Sequence, residues 1–168
     1  MKRIPLTQGL YALVDDADFE WLNQWKWFAL KGTGNNTFYA VHWDCSSKPK
    51  VLVRMHTVLL ERKLGRSLLD EVDHEDNNGL NNQKCNLREA TASENSCHRG
   101  LRSDNTSGFK GVSWINREQK WYAQISIKGK YYSLGYFDDP REAARAYDRA
   151  AVDLHGEFAK TNKMLGLL

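Results

Sequence analysis

The chain has 168 residues, 41% of them hydrophobic and 27% charged, with a formal net charge of +3, which is room for one ordinary domain or two small ones. This composition excludes disordered and fibrous classes, and no apolar run approaches the roughly 20 residues that span a bilayer. Three cysteines (Cys45, Cys85 and Cys97) form no C-x-x-C pair, which removes zinc-knuckle and redox readings; without a signal peptide the expectation is an intracellular, cytoplasmic protein.

Charge is unevenly distributed. Residues 66–98 hold three Lys/Arg against seven Asp/Glu, whereas residues 107–133 hold five against one. An acidic patch followed by a basic one is what a metal site beside a phosphate-binding surface would show.

In chain order, residues 10–14 (LYALV) read as a strand. Asp15, Asp16 and Asp18 offer capping carboxylates to a short helix over 18–23 with Phe19 and Leu22 inward. Aromatic strands at 26–30 and 38–43 flank Gly32-Thr33-Gly34-Asn35-Asn36, a hairpin with a flexible loop. Residues 51–54 form a further strand, and Val58, Leu59, Leu60 and Leu64 have the spacing of a helix that starts near His56 and ends at Gly65. His56, opening that helix, and His42, beside Trp43, read as packing histidines. The N-terminal half is thus a small α+β scaffold leading into a strand at Asp73.

The stretch 72–99, VDHEDNNGLNNQKCNLREATASENSCHR, carries the chemistry. Asp73-His74 is followed by an asparagine-rich loop, then Asn86-Leu87-Arg88, then Ser93-Glu94-Asn95 on a short helix that Ser93 or Thr91 would cap. Phosphodiester cleavage needs an activated water and a cation on the phosphate. A neutral imidazole takes a water proton near neutral pH, and carboxylate and carboxamide oxygens suit Mg²⁺. Neighbours on a strand leave on opposite faces, so His74 is expected to act on water rather than compete for the ion. His98, one turn past Asn95, stays open as an additional ligand or phosphate contact.

The order D-H, N-x-R, E-N resembles the HNH, or ββα-metal, nucleases, most closely the homing endonucleases of phages and mobile introns, in which asparagine replaces the motif's last histidine. The resemblance implies His74 as general base and Asn86 as the asparagine bracing loop and histidine. It implies one Mg²⁺ (or Mn²⁺) per active site on Asp73 and Asn95, with Arg88 as a phosphate or leaving-group contact. Asn77, Asn78, Asn81 and Asn82 match that family's asparagine-rich connection.

Residues 99–108 are polar and aperiodic, a linker in which Arg99 and Arg102 would suit phosphates. Beyond it, residues 109–114, 121–128 and 130–136 read as three strands. The middle one alternates Trp121, Ala123, Ile125 and Ile127 against Tyr122, Gln124, Ser126 and Lys128, and Gly129 marks the turn. A helix follows, with Asp139 at its N-cap, Pro140 at N1 and Glu142 completing a capping box. Ala143, Ala144, Tyr147, Ala150, Ala151 and Leu154 form its apolar face, and Gly156 ends it.

Gly111-Val112, Lys120-Trp121-x-Ala123, Leu134-Gly135-x-Phe137 and Glu142-Ala143-Ala144-x-Ala146-Tyr147-Asp148-x-Ala150-Ala151 resemble the DNA-binding domain of plant Apetala/ethylene-response factors, over about residues 107–163. That implies a three-stranded sheet laid on DNA with a helix behind it. Its candidate DNA-binding residues are Lys110, Ser113, Arg117, Lys120, Tyr122, Gln124, Ser126, Lys128, Tyr131 and Ser133. Ser113, Gln124, Ser126, Tyr131 and Ser133 stand where that family carries arginines and tryptophans, so DNA binding carries over and target sequence does not. Gln124 is the best base reader, because base readout favours bidentate groups.

The expectation is an α+β protein: an HNH domain over 1–99 with its ββα core at about 71–99, a linker over 100–107, and a DNA-binding domain over 108–168. The expected activity is endonucleolytic hydrolysis of double-stranded DNA by a monomer or weak dimer of phage or mobile-element type, with no membrane or small-molecule cofactor. A catalytically inactive DNA-binding regulator is the alternative, and a nuclease acting on RNA or structured DNA a third reading.

Overall fold

A computed structural model describes residues 1–33, 37–46, 48–102 and 104–168. Residues 34–36 of the expected hairpin loop and residue 103 of the expected linker lie outside the described residues. Helices and small antiparallel sheets alternate in an α+β arrangement that divides into two units, Met1–Ala90 and Thr91–Leu168. Among the described residues no helix is long and apolar enough to cross a membrane.

The first unit opens on a hairpin that was not legible in the sequence, β1 (Lys2–Pro5) against β2 (Tyr11–Val14), with Ile4 opposite Ala12. Lys2-Arg3-Ile4-Pro5 offers one apolar residue and a proline, and it works as an edge strand because Ile4 alone turns into the core. Helix α1 (Asp16–Leu22) follows, then the sheet β3 (Phe28–Lys31), β4 (Phe38–Asp44) and β5 (Val51–Arg54). Helix α2 (Met55–Leu64) ends at Gly65, whose positive φ of 67° lets its amide bond Glu61 O at 2.8 Å. Strands β6 (Glu71–His74) and β7 (Leu87–Ala90) pair antiparallel, with Asp73 opposite Arg88 and His74 opposite Leu87.

Ile4, Val14, Leu22, Trp27, Met55, Leu59, Leu60 and Leu87 form one core, so the N-terminal scaffold and the β6–β7 hairpin share their burial. His42 packs, stacked on Trp25 at 5.6 Å and edge-on to Trp27 at 4.6 Å. On β7, Glu89 closes the loop between α2 and β6: it takes hydrogen bonds from the Arg66 guanidinium at 2.6 Å and the Asp70 amide at 3.3 Å. The Arg66 bond, above all, lowers the Glu89 pKa from 4.5 to about 2. A carboxyl whose folded pKa is depressed stabilises the fold above its unfolded value and loses that contribution as pH falls through the folded one. Wild type should therefore lose more stability than Glu89→Gln in urea unfolding as pH falls from above 4.5 to about 2; equal losses would contradict the assignment.

The second unit begins with α3 (Ala92–His98). Thr91 caps it: Thr91 Oγ1 accepts from the Glu94 amide at 3.3 Å, and Glu94 accepts from the Thr91 amide at 2.8 Å. The sheet β8 (Val112–Ile115), β9 (Lys120–Ile127) and β10 (Lys130–Phe137) has β9 at its centre, backed by α4 (Pro140–His155). Strand β8 starts three residues later than the sequence predicts, because residues 107–111 fold into a turn. There Ser107 Oγ donates to Val112 O at 2.8 Å, and Gly108 and Gly111 take positive φ.

Ala123 and Ile125 are buried against Ala143, Ala144, Tyr147 and Ala151 of α4. Alanines bring helix and sheet close together, which is why the pattern was readable. Two details differ from expectation. Leu154 is 49% exposed, and Asp139 accepts from the Arg141 amide at 2.8 Å, one residue short of the N3 bond of a capping box.

Candidate active site and nucleic-acid interface

The β6–β7 pairing places Asp73 and Arg88 side by side. Arg88 donates to Asp73 Oδ2 through Nε at 2.9 Å, and its terminal nitrogen forms an ion pair with the same oxygen at 2.8 Å, fixing a carboxylate that is only 4% exposed. Arg88 is thus engaged with Asp73 itself, a contact that adjacent-strand register explains and that linear spacing hides.

His74 is 6% exposed, and its Nε2 is buried with no hydrogen-bond partner among the described residues. Burial lowers its pKa from the usual value against the opposing pull of Asn82, Asp76 and Asp73, so the imidazole is neutral at pH 7. His56 meets it edge-on at 5.1 Å, and Tyr39 contacts both rings, at 5.5 and 6.0 Å. Burial, then the charge of His74 and of Arg54, pushes His56 down to about 3, which keeps it neutral as well. The sequence reading of His56 as a packing histidine missed what it packs on. A histidine at the start of one helix and another at the end of a strand 18 residues later share no local period.

The loop between β6 and β7 is organised by Asp76, which the sequence reading did not single out. Its carboxylate accepts from the Asn78 amide at 2.8 Å, Asn81 Nδ2 at 2.7 Å and Asn86 Nδ2 at 2.9 Å. Asn86, 7% exposed, also accepts from the Asp76 amide at 3.0 Å and donates to Asn81 O at 2.8 Å. An aspartate opening a D-N-N-G turn is the usual signal of such an Asx hub, and it was available in the sequence.

The N-terminal scaffold holds the same loop. The Leu13 amide donates to Leu80 O and the Asn82 amide to Leu13 O, both at 2.8 Å. Asp15 and Asp18, expected to cap α1, do other work: Asp15 accepts from the Lys84 amide at 2.9 Å and from Gln83 Nε2 at 3.3 Å, and buried Asp18 accepts from Lys84 Nζ at 2.8 Å. The loop's amides and ammonium are the stronger partners, because they come with charge or with burial.

Gly79 sits where no side chain fits: a Cβ there would lie 2.6 Å from Phe38 O and 2.7 Å from the Tyr39 ring. Gly79→Ala should therefore shift Tyr39 off the two histidines and destabilise the first unit by about 1–3 kcal/mol, the usual range for overpacking. Urea unfolding measures this, and an unchanged midpoint would show that Tyr39 has room to move.

Asn95 and buried His98 lie on α3, in the second unit. Taken by their chemistry alone, the Asp73 carboxylate of the first unit and the Asn95 carboxamide of the second are hard oxygen donors of the kind Mg²⁺ takes. Among the described residues no three His, Cys, Asp or Glu side chains gather as a metal cage.

In the second unit, cross-strand pairing collects the candidate DNA-binding residues on the sheet face away from α4. Ser113 pairs with Tyr122 and Tyr122 with Tyr136; Gln124 pairs with Ser133 and Ser126 with Tyr131. Lys120 shares this face by alternation and reaches Asp138 at 3.2 Å; Arg117 pairs with Glu118 in the β8–β9 turn, and Lys128 occupies the β9–β10 turn. Tyr136, 52% exposed and 5.0 Å from Tyr122, joins the face although the sequence reading left it out. Lys110 is different: its ammonium donates to Cys97 O and Arg99 O, both at 2.6 Å, within the unit.

Comparison with known proteins adds to this geometry. The AP2 domain family matches residues 107–157. Along 94% of its length the chain is 29% identical to an uncharacterized HNH endonuclease of Acanthamoeba polyphaga mimivirus, covering 77% of that protein. It is 37% identical over 89 residues to Protein 3.8 of Escherichia phage T7, covering 53% of this chain and 73% of the phage protein. Over 68 residues it is 44% identical to an AP2-like ethylene-responsive transcription factor of Arabidopsis thaliana, which is 40% of this chain and 14% of the plant protein.

Proposed function

The chain belongs to the family of phage T7 Protein 3.8, is homologous to an HNH endonuclease of mimivirus and carries an AP2 domain over residues 107–157, and on that premise we propose that it is a metal-dependent DNA endonuclease of homing type. The observation that carries the reading is His74: a buried, neutral imidazole next to a fixed carboxylate in the chain, with no hydrogen-bond partner for Nε2 among the described residues. A buried nitrogen without a partner among the described residues is costly, and His56 Nδ1 beside it is in the same state, so the two rings together form an unsatisfied polar spot of the kind a reacting water could meet.

His74 accepts the proton of a water molecule as that water's oxygen bonds to phosphorus and the bond to the leaving oxygen breaks. Arg88 keeps the Asp73 carboxylate in place, and the Asp76–Asn86 bonds hold the loop that enters and leaves the hairpin. Tyr39 and His56 fix the ring of His74 and exclude solvent from its buried side. Asp73 and Asn95 would hold one Mg²⁺ or Mn²⁺, which when bound neutralises charge on the phosphate and on the leaving oxygen. The AP2 sheet presents Tyr122, Gln124, Ser126, Tyr131 and Ser133 to duplex DNA, with Lys120, Arg117 and Lys128 at its edges for phosphates. One such centre cuts one strand per visit, so a monomer nicks.

Supercoiled plasmid incubated with the protein should convert to nicked circles with Mg²⁺ or Mn²⁺ and remain intact with EDTA. Failure to cut any DNA under either metal would leave a DNA-binding regulator, and preferential cutting of structured RNA would replace the substrate.

A further inference from the structure

The sequence offers Lys110 as a DNA contact, and its surroundings point to a different task. Its main chain is bolted down from both sides by Asn162, which is wholly buried. Asn162 Oδ1 accepts from the Lys110 amide at 2.6 Å, and Asn162 Nδ2 donates to Lys110 O at 3.2 Å. Asn162 is itself fixed by Asp148 of α4, at 2.6 Å to its amide and 2.8 Å to its Nδ2. From this fixed point the lysine stem runs past the Tyr147 ring, 6.0 Å from the ammonium, to the last turn of α3.

There Nζ donates to Cys97 O and Arg99 O, both at 2.6 Å. Carbonyls at a helix C-terminus lack intrahelical partners and carry the negative end of its dipole, so a cation there is favoured. A helix of seven residues is marginal alone and depends on such contacts. Cys97 Sγ also approaches Ser126 O of β9 at 4.0 Å. Burial lowers the Lys110 pKa to about 8, which leaves it charged at neutral pH.

We propose that Lys110 is a positioning residue: its ammonium clamps the C-terminal turn of α3, the helix that carries Asn95, onto the AP2 domain, so that the DNA-binding domain sets the place of the metal-holding carboxamide. The proposal rests on the nuclease reading for the role of Asn95. It makes the AP2 domain part of the catalytic apparatus as well as its DNA anchor.

The test uses the full chain, wild type against Lys110→Met, which keeps the stem and removes the donor. Three quantities are read: affinity for a duplex oligonucleotide at several salt concentrations, single-turnover nicking of plasmid at saturating protein against Mg²⁺ concentration, and amide exchange across α3. The clamp predicts unchanged affinity and salt slope, faster exchange at Ser96 to Arg99, and a loss of about 10–100-fold in nicking or in apparent metal affinity, as for other groups that orient metal ligands. A phosphate contact predicts the reverse: a salt slope lower by about one, with exchange and saturated nicking unchanged, which would overturn the proposal. If Lys110→Met lowers the melting midpoint, Lys110→Gln, which retains an uncharged N–H donor group, should recover part of both the α3 protection and the nicking rate. Wild type that nicks no DNA would defeat the nuclease reading and with it the catalytic consequence of the clamp; unchanged α3 exchange would defeat the clamp itself.

Discussion

Replacing His74 with alanine is expected to slow single-turnover nicking by about 10²–10⁴-fold, the range that general bases contribute, with duplex affinity unchanged. That loss corresponds to about 3–5 kcal/mol of transition-state stabilisation. The imidazole is also a packing residue, since it contacts His56 and Tyr39, so a structural cost accompanies the substitution. His56→Phe separates the two contributions: it keeps an aromatic ring against His74 and removes only the His56 nitrogens. The account predicts that His56→Phe retains most of the rate that His74→Ala loses. Equal losses in both variants would mean that ring packing, not the base, limits cleavage.

The second large effect is expected in the AP2 domain. Gly111 has a φ of 75°, and a Cβ there would enter the Tyr147 ring. The left-handed conformation costs a non-glycine residue about 1–2 kcal/mol, and overpacking adds about 1–3 kcal/mol. A total of roughly 2–5 kcal/mol is a large part of the ~5–15 kcal/mol that keeps a domain folded. Gly111→Ala should lower the melting midpoint of the second unit and abolish tight DNA binding, because Gly111 O also accepts from the Gln124 amide at 2.9 Å on the central strand. Gly108→Ala is the control: its φ of 77° is similar, but nothing lies within 4 Å of its Cβ. It should show only the conformational cost; identical melting shifts in the two variants would remove the Tyr147 clash from the explanation.

What the sequence conveyed well was local and periodic. The alternation from Trp121 to Lys128, the alanines of α4 and the glycine stops at Gly65 and Gly156 are written in short spacings, and the AP2 resemblance is dense in the same segment. The Asp73-His74 strand, the asparagine loop and the Thr91-capped helix were legible because each carries its own turn or cap chemistry. The partners were not. Asp15 and Asp18 have helix-capping spacing yet bind Gln83 and Lys84, more than 60 residues away, because charge and burial there outweigh an exposed cap. His56 reaches His74, and Asn162 reaches Lys110, only after the chain has folded. Strand register likewise made Arg88 the companion of Asp73, where the sequence offered it to phosphate.

The central claim is that residues 72–99 cut DNA with one divalent ion on Asp73 and Asn95. Its most direct test is single-turnover nicking of supercoiled plasmid by wild type, Asp73→Ala and Asn95→Ala across a Mg²⁺ or Mn²⁺ titration, with duplex binding measured alongside. The account predicts metal-dependent nicking by wild type and, in each variant, a loss of about 10–100-fold or more in rate or apparent metal affinity at unchanged duplex affinity. Variants that nick as fast as wild type at every metal concentration would contradict it.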